Sequence, residues 1–126
     1  MSKSLFVSYV FEDKAHFDAV KRWAAEGKLG ADVAVTSETK DVRQDGDAAI
    51  RSHVKPFIQG SAAVLLLLGK DTHNHHWVRT ELSVAASLGK AIIVARIPGT
   101  MGAAPEGFGH LTPIAFDPSA IKGALG

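Results

Sequence analysis

The uninterrupted apolar run from Ala62 to Leu68 constrains the fold of this chain more than any other feature of its sequence. A strand that has one face in water alternates apolar and polar residues, whereas a strand covered on both faces is apolar throughout. Further strand-like runs occupy residues 5–10, 32–35, 91–95 and, more weakly, 114–116. Together these runs predict a parallel sheet with helices on both faces.

Between the predicted strands, apolar residues recur at helical spacing in segments that cover residues 13–27, 50–58 and 75–88. The second segment has one predicted apolar stripe, formed by Ile50, Val54, Phe57 and Ile58. Pro56 is expected to bend the last turn of this helix. The tail from 98 to 109 is rich in glycine and proline, which predicts a loop with at most a helical turn.

The alternation of strands and helices predicts an α/β fold. A chain of 126 residues that has no internal repeat and no linker predicts a single domain over residues 1–126.

The composition excludes several classes of protein. A formal net charge of +1 gives no electrostatic reason to bind nucleic acid, and the absence of cysteine excludes a disulfide scaffold and cysteine-ligated zinc. The segment from Met1 to Leu5 lacks the apolar stretch of a signal peptide, and the run 62–68 is far shorter than the roughly 20 residues that span a bilayer. We therefore expect a cytoplasmic protein that binds neither nucleic acid nor membrane.

Polar residues directly follow several of the predicted strands. In an open parallel sheet, ligands bind at the carboxyl ends of the strands, near the point where the strand order reverses. The residues at these ends are Ser8 and Tyr9, Thr36 and Ser37, Gly69 to Asp71, and Arg96. A ligand site is therefore expected to draw on these positions.

Glu81 is an acidic residue on the apolar side of the third predicted helix. With about 100° between successive residues, Glu81 lies about 40° from Trp77, while the polar residues of this helix gather elsewhere on the wheel. The two side chains are separated by one helical turn and can touch. A carboxylate that faces a core is costly unless it is paired or hydrogen-bonded, and desolvation raises its pKa.

Two interpretations of Glu81 follow from this position. It can serve the structure, by pairing with an arginine such as Arg96 or Arg43 or by reaching water at the edge of the helix. It can also serve chemistry, because it lies early in the helix that follows a central strand and hence near the carboxyl edge of the sheet.

Short motifs along the chain resemble those of TIR domains in order and spacing. Residues Phe6 to Tyr9 resemble the first-strand box, and Gly69 to Thr72 with Trp77 to Leu82 resemble the region from the third strand into the third helix. The latter includes the Trp-x-x-x-Glu spacing of enzymatic TIR domains, and Gly89 to Ile93 resembles a Gly-Lys-Pro-Ile-Ile motif. The resemblance covers residues 4–97, excludes the tail beyond Arg96, and is nearest to the bacterial Thoeris-type group.

This resemblance implies a three-layer, flavodoxin-like TIR fold with a five-stranded parallel sheet flanked by helices. It also implies an NAD⁺ nucleosidase or ADP-ribosyl cyclase-like hydrolase, which releases nicotinamide and makes an ADP-ribose-derived, cyclic signal nucleotide in bacterial antiphage defence. NAD⁺ is then the substrate and no separate cofactor is implied. The partners that the resemblance implies are further copies of the TIR domain in the active state and a separate effector that senses the product.

By the same resemblance, the catalytic residue is Glu81. Nicotinamide leaves NAD⁺ as a neutral group and needs no general acid, so a single carboxylate can suffice to stabilise the oxocarbenium-like ribose. The substrate-binding residues that the resemblance implies are Ser8, Tyr9, Phe11, Trp77, Arg43 and Lys70. Ordinary strand-end capping for Ser8 and Tyr9, helix packing for Trp77, and solvated surface for Arg43 and Lys70 stay open as alternatives.

The histidines at positions 73, 75 and 76 form a cluster at the predicted start of the third helix. Three histidines within four residues at a helix start rarely reach the tetrahedral geometry that zinc requires. We therefore predict no metal site.

A non-enzymatic interaction or assembly module of the TIR type is the main alternative function. The stretch 37–46, which corresponds to the BB loop of TIR domains, lacks the proline found there in many members. A receiver-like domain is a third alternative, but it needs an aspartate at a strand end, which Leu68 and Gly69 do not supply, and an acidic pair earlier than Glu12 and Asp13.

Overall fold

The structure is a computed structural model. It describes residues 3–30, 32–37, 47–70, 72, 76–105 and 107–125, and of Lys3, Phe11 and Asp47 it describes the backbone alone.

Strands and helices alternate along the chain as the sequence predicts. The strands are β1 (Lys3–Ser8), β2 (Val33–Thr36), β3 (Ala63–Leu68), β4 (Ala91–Arg96) and β5 (Ile114–Ala115). The helices are α1 (Lys14–Ala25), α2 (Asp47–Gln59), α3 (His76–Ser87) and α4 (Pro118–Leu125). A short 3-10 turn, Phe11–Asp13, leads into α1.

The strands form one five-stranded sheet in the order β2-β1-β3-β4-β5, and every neighbouring pair is parallel. This order is that of flavodoxin-like folds, in which the chain winds outward in both directions from the first strand. The predicted α/β fold, with a five-stranded parallel sheet flanked by helices, is confirmed.

All six side chains of β3 are buried, as its apolar sequence predicts. Successive side chains of a strand point to opposite faces of the sheet. Accordingly, Val64, Leu66 and Leu68 belong to one core cluster, whereas Ala63, Leu65 and Leu67 belong to a second. The sheet therefore separates two apolar cores.

Each core is closed by a pair of helices. The first cluster contains residues of α2 and α3, such as Val54 and Leu82, and the second contains residues of α1 and α4, such as Val20 and Ile121. The prediction of a buried stripe on α2 is wrong for one residue, Phe57, whose side chain is 37% exposed. Pro56 lies in the last turn of α2, which continues to Gln59.

The sequence prediction missed helix α4, which follows the glycine- and proline-rich segment. Pro118 is its first residue, where the missing N–H of proline costs nothing. The Asp117 side chain accepts a hydrogen bond from the backbone N–H of Ser119 at 3.0 Å, which caps the helix start. The Asp-Pro pair was therefore the signal that could have predicted this helix.

None of the helices in the described part of the chain has the length and apolar character needed to cross a membrane.

Leu66 lies at the centre of β3 and is fully buried. We expect Leu66→Ala to lower the free energy of unfolding by about 2–5 kcal/mol, because it removes buried apolar contacts and leaves a cavity. Urea denaturation followed by circular dichroism measures this loss. The matched control is Met101→Ala, at a side chain that is 94% exposed, with an expected change within about 0.5 kcal/mol. Equal losses in the two variants would contradict this account of the core.

Candidate functional site

The strand order marks the carboxyl ends of β1 and β3 as the edge where a ligand is expected. From β1 the sheet extends on one side to β2 and on the other to β3, so the winding direction reverses between them. Ligands of such sheets bind where this reversal occurs, outside the carboxyl ends of the strands. Ser8 ends β1 and pairs with Leu66, two residues before the end of β3.

Glu81, in the second turn of α3, reaches this edge from the helix side. Its carboxylate accepts a hydrogen bond from the Ser8 hydroxyl, with 2.7 Å between Ser8 Oγ and Glu81 Oε1. Both residues are buried, Ser8 at 1% and Glu81 at 2% exposure. Ser8 points this way because it is two residues from Phe6, which lies in the core cluster of α2 and α3. The inward orientation predicted for Glu81 is therefore what the structure shows.

These contacts test the structural roles considered for Glu81, which were pairing with an arginine and contact with water at the helix edge. Arg96 does not pair with Glu81, because its Nη1 donates to the carbonyl oxygens of Gly102 and Thr100 at 3.0 and 3.3 Å. Glu81 does not reach water at the helix edge, since its side chain is buried. The other proposed partner, Arg43, lies outside the described residues.

The neighbouring Tyr9 takes a different direction from Ser8. Its ring stacks on Phe17 of α1, with 4.5 Å between the ring centroids and an interplanar angle of 10°. Tyr9 therefore packs with the core cluster on the α1 side, whereas Ser8 faces α3. The motif that suggested a shared role places the two side chains on opposite faces, because successive residues of an extended chain alternate.

Trp77 is half-buried and packs against the core cluster of α2 and α3. Its indole meets the ring of His76 edge-on, with 6.1 Å between centroids. It lies on α3 one turn before Glu81, so the two residues share the face that the helical wheel predicts.

Of the remaining predicted substrate-binding residues, only Lys70 has a described side chain. Lys70 follows β3 at the carboxyl edge and is exposed. Phe11 begins the 3-10 turn after β1, at the same edge, and its side chain is not among those described. Arg43 lies outside the described residues, as do His73 and His75.

A second set of polar contacts, which sequence reasoning missed, shapes the turn after β3. Thr72 is fully buried, and its Oγ1 accepts a hydrogen bond from the Gly69 backbone N–H at 2.8 Å. The Asp13 carboxylate lies directly over Gly69, so that a Cβ at this position would overlap Asp13 Oδ2. The start of α1 and the carboxyl end of β3 are thus held in contact at this edge of the sheet.

The segment after β4 packs against the same turn, the one that follows β3. Thr100 Oγ1 lies 3.3 Å from the carbonyl oxygen of Leu68, and Gly102 packs so closely on the carbonyl oxygens of Gly69 and Lys70 that a Cβ would overlap both. Together with the Arg96 hydrogen bonds, these contacts join the carboxyl ends of β3 and β4. The contacts of Thr100 and Gly102 with the turn after β3 join residues far apart in sequence, for which no local motif is diagnostic.

The model of the family described as Thoeris protein ThsB, TIR-like domain, matches residues 6–101. The match includes Ser8, Trp77 and Glu81. The chain belongs to this TIR-like family. Membership supports a role in antiphage defence signalling.

The solved structure of a 2-desoxiribosyltransferase from Leishmania mexicana is similar to this TIR-like domain, with a TM-score of 0.54 and 23% sequence identity. The similarity covers 75% of this chain and 64% of the transferase, so the domain spans less than two-thirds of that protein's length. At this identity the similarity shows a shared fold. No curated protein matches the sequence of the TIR-like domain.

Within the described part of the TIR-like domain, no three histidine, aspartate or glutamate side chains lie close enough together to hold a metal ion. Two of the three clustered histidines lie outside that part. The prediction that the cluster binds no metal therefore stays a prediction.

The contact between Asp13 and Gly69 can be tested with a double-mutant cycle. We expect Gly69→Ala to lower the free energy of unfolding by about 1–3 kcal/mol, because the added methyl group overlaps the Asp13 carboxylate. The loss should be smaller in an Asp13→Ala background, where the overlapping group is absent. Urea denaturation of the four proteins measures the coupling.

Gly109→Ala is the matched control for this cycle. A Cβ at Gly109 meets nothing within 4 Å, so its substitution should change the free energy of unfolding by no more than about 0.5 kcal/mol. A Gly69→Ala loss that is the same with and without Asp13 would show that the carboxylate does not determine the packing at this turn.

Proposed function

We propose that this TIR-like domain cleaves NAD⁺ at the bond between nicotinamide and ribose, with Glu81 as the catalytic carboxylate. The observation that carries this proposal is the buried Glu81 carboxylate, hydrogen-bonded to Ser8 at the carboxyl edge between β1 and β3. Nucleotide ligands of doubly wound sheets bind at this edge. Family membership supports the same activity through the Trp77-to-Glu81 spacing.

The chemistry requires one negative charge near the ribose. When the bond between ribose C1′ and the pyridinium nitrogen breaks, its electron pair moves to the nitrogen and nicotinamide leaves as a neutral molecule. The ribose is left with oxocarbenium character, and a carboxylate nearby stabilises this positive charge. The stabilisation is larger in a site that excludes water than in solution.

The hydrogen bond from Ser8 positions the carboxylate for this role. A hydroxyl that donates to Oε1 fixes the orientation of the Glu81 side chain, so less reorganisation is needed when the ribose becomes charged. A carboxylate held in this way can also accept hydrogen bonds from the ribose hydroxyls.

The fate of the ribose depends on the group that attacks C1′. Attack by water, followed by loss of a proton, gives ADP-ribose, whereas attack by a hydroxyl or ring nitrogen of the same molecule gives a cyclic isomer. We propose the cyclic product, as a signal nucleotide that a separate effector senses, because the domain belongs to the Thoeris family. NAD⁺ is the substrate, and no further cofactor takes part.

The burial of Glu81 also bears on regulation of this activity. At 2% exposure, the carboxylate can meet a ribose only after the side chains that cover it move aside. We propose that self-association of the domain accompanies this opening, so that turnover per molecule rises with protein concentration.

A non-enzymatic assembly module is the second candidate function. The low exposure of Glu81 favours this function, because a buried glutamate that accepts a hydrogen bond from Ser8 also stabilises the packing of α3 against β1. In that case the protein would self-associate without any turnover, and substitution of Glu81 would affect stability alone.

Nicotinamide release from NAD⁺ distinguishes the two candidates. We expect the wild-type chain to release nicotinamide and Glu81→Gln to reduce the rate about 10²–10³-fold, because glutamine keeps the shape but not the negative charge. The assay uses a series of protein concentrations and identifies the products by mass spectrometry. Circular dichroism and thermal unfolding show whether each variant is folded.

Glu26→Gln is the matched control. Glu26 follows the last residue of α1 and pairs with Lys28 on the surface at 3.3 Å, so its substitution removes a carboxylate remote from the proposed site. We expect its turnover to equal that of the wild type. Full turnover in a folded Glu81→Gln variant would refute the catalytic role, and self-association without turnover at any concentration would favour the assembly module.

A further inference from the structure

A cleft between α2 and α3 carries an excess of positive charge that the proposed NAD⁺ site does not use. Its smaller compartment, about 150 Å³, is lined by Arg51 of α2 and by His76, Arg79, Thr80 and Ser83 of α3. Its larger compartment, about 400 Å³, is lined by Ala48, Arg51, Ser52, Lys55, Val84 and Ser87. Arg51 lines both compartments, so its side chain lies between them.

The cations of this cleft lack a neutralising partner in the described part of the chain. The ion pairs found there join Lys14 to Asp18 and Lys28 to Glu26, so no described carboxylate pairs with Arg51, Arg79 or Lys55. Unneutralised guanidinium groups that face one concave site favour the binding of an anion.

Hydroxyl groups complete the smaller compartment. The Thr80 hydroxyl, which also lines this compartment, donates to the backbone carbonyl oxygen of His76 at 3.0 Å. The Ser83 hydroxyl, which is half-buried, makes no hydrogen bond to a described residue and can donate to a ligand. Two guanidinium groups and a hydroxyl donor match the acceptor oxygens of a phosphate group.

The sizes of the compartments indicate how a ligand would divide between them. Since a water molecule takes up about 30 Å³ in the liquid, the smaller compartment has room for a phosphate group and a few waters but for little more. The larger compartment falls within the range of about 300–1,000 Å³ that is typical of small-molecule pockets. Besides Arg51 and Lys55, its lining consists of two apolar side chains and two hydroxyl groups, which suit an uncharged organic group.

This cleft is separate from the proposed catalytic face of α3. With about 100° per residue, Glu81 lies about 100° from Thr80 and about 160° from Arg79 around the helix. Glu81 faces Ser8 and the sheet, whereas Arg79 and Ser83 face α2. A ligand in the cleft therefore does not compete for the position of the ribose.

We propose that the cleft binds a phosphomonoester of a small organic molecule. Arg51 and Arg79 hold the phosphate in the smaller compartment, and the organic group extends along the larger compartment toward Lys55. A nucleoside monophosphate and a sugar phosphate both have this chemistry, so the test includes one of each.

Chemical-shift titration of the isotope-labelled full chain, without NAD⁺, tests this proposal. The probes are AMP, ribose 5-phosphate, inorganic phosphate and adenosine. We expect AMP, ribose 5-phosphate or both to give saturable shifts at the amides of residues 51 and 79–83 and to bind more tightly than inorganic phosphate, and adenosine to give none. The phosphomonoester that binds more tightly shows whether the larger compartment prefers a nucleoside or a sugar.

Substitution of the two arginines provides the specificity test. Arg51→Gln and Arg79→Gln should each weaken binding about tenfold, the expected loss for hydrogen bonds to a charged group. Arg22→Gln is the matched control, because Arg22 is an exposed arginine of α1, on the other face of the sheet. The Arg22→Gln variant should bind the phosphomonoester with unchanged affinity. High salt should weaken binding through screening.

Two results would overturn the proposal. One is the absence of saturable shifts at residues 51 and 79–83 with either phosphomonoester. The other is an equal loss of affinity in all three arginine variants, which would indicate attraction by net charge alone. Neither result depends on turnover of NAD⁺, so failure of this proposal is distinguishable from failure of the proposed function.

Discussion

The central strand β3 must keep all six of its side chains out of water, and this constraint determines the rest of the architecture. Because the side chains alternate between the two faces, both faces of the sheet need a helical layer. Helices α2 and α3 supply one layer, and α1 and α4 supply the other. With both faces covered, polar groups that act together can gather at the edges of the sheet, where the strands end.

The carboxyl edge therefore concentrates the polar contacts of the domain. Ser8 at the end of β1 meets Glu81 from α3, and Asp13 lies over Gly69 at the end of β3. The Arg96 guanidinium holds the segment after β4 against the same turn. The Ser8–Glu81 and Asp13–Gly69 contacts join residues far apart in sequence, so they depend on the sheet that brings these segments together.

Residues whose environment follows from a local period could be predicted from the sequence. The apolar run of β3 gave the parallel sheet, and the helical period placed Glu81 on the inward face of α3. The period of a strand also separates Ser8 from Tyr9, but the shared motif had suggested one common pocket. Helix α4 was missed because it has only eight residues, too few to establish a helical period, and includes a glycine, so that the cap at Asp117 was the clearest signal for it.

Contacts that depend on tertiary structure could not be predicted in this way. Nothing in the sequence near Gly69 shows that the Asp13 carboxylate, from a segment more than 50 residues earlier, lies over it. The same holds for the cleft between α2 and α3, because Arg51 and Arg79 come together only through the packing of two helices.

The burial of the Glu81 carboxylate costs free energy. Removing a carboxylate from water costs several kcal/mol, whereas a hydrogen bond to a charged group returns about 1.5–3 kcal/mol. The Ser8 hydroxyl therefore offsets part of the cost, and an apolar pair at the two positions would join α3 to β1 without any desolvation of charge. Stability thus does not single out an acid at this position. The proposed cleavage of NAD⁺ does, because it requires negative charge at the carboxyl edge, beside the cation that would develop on ribose.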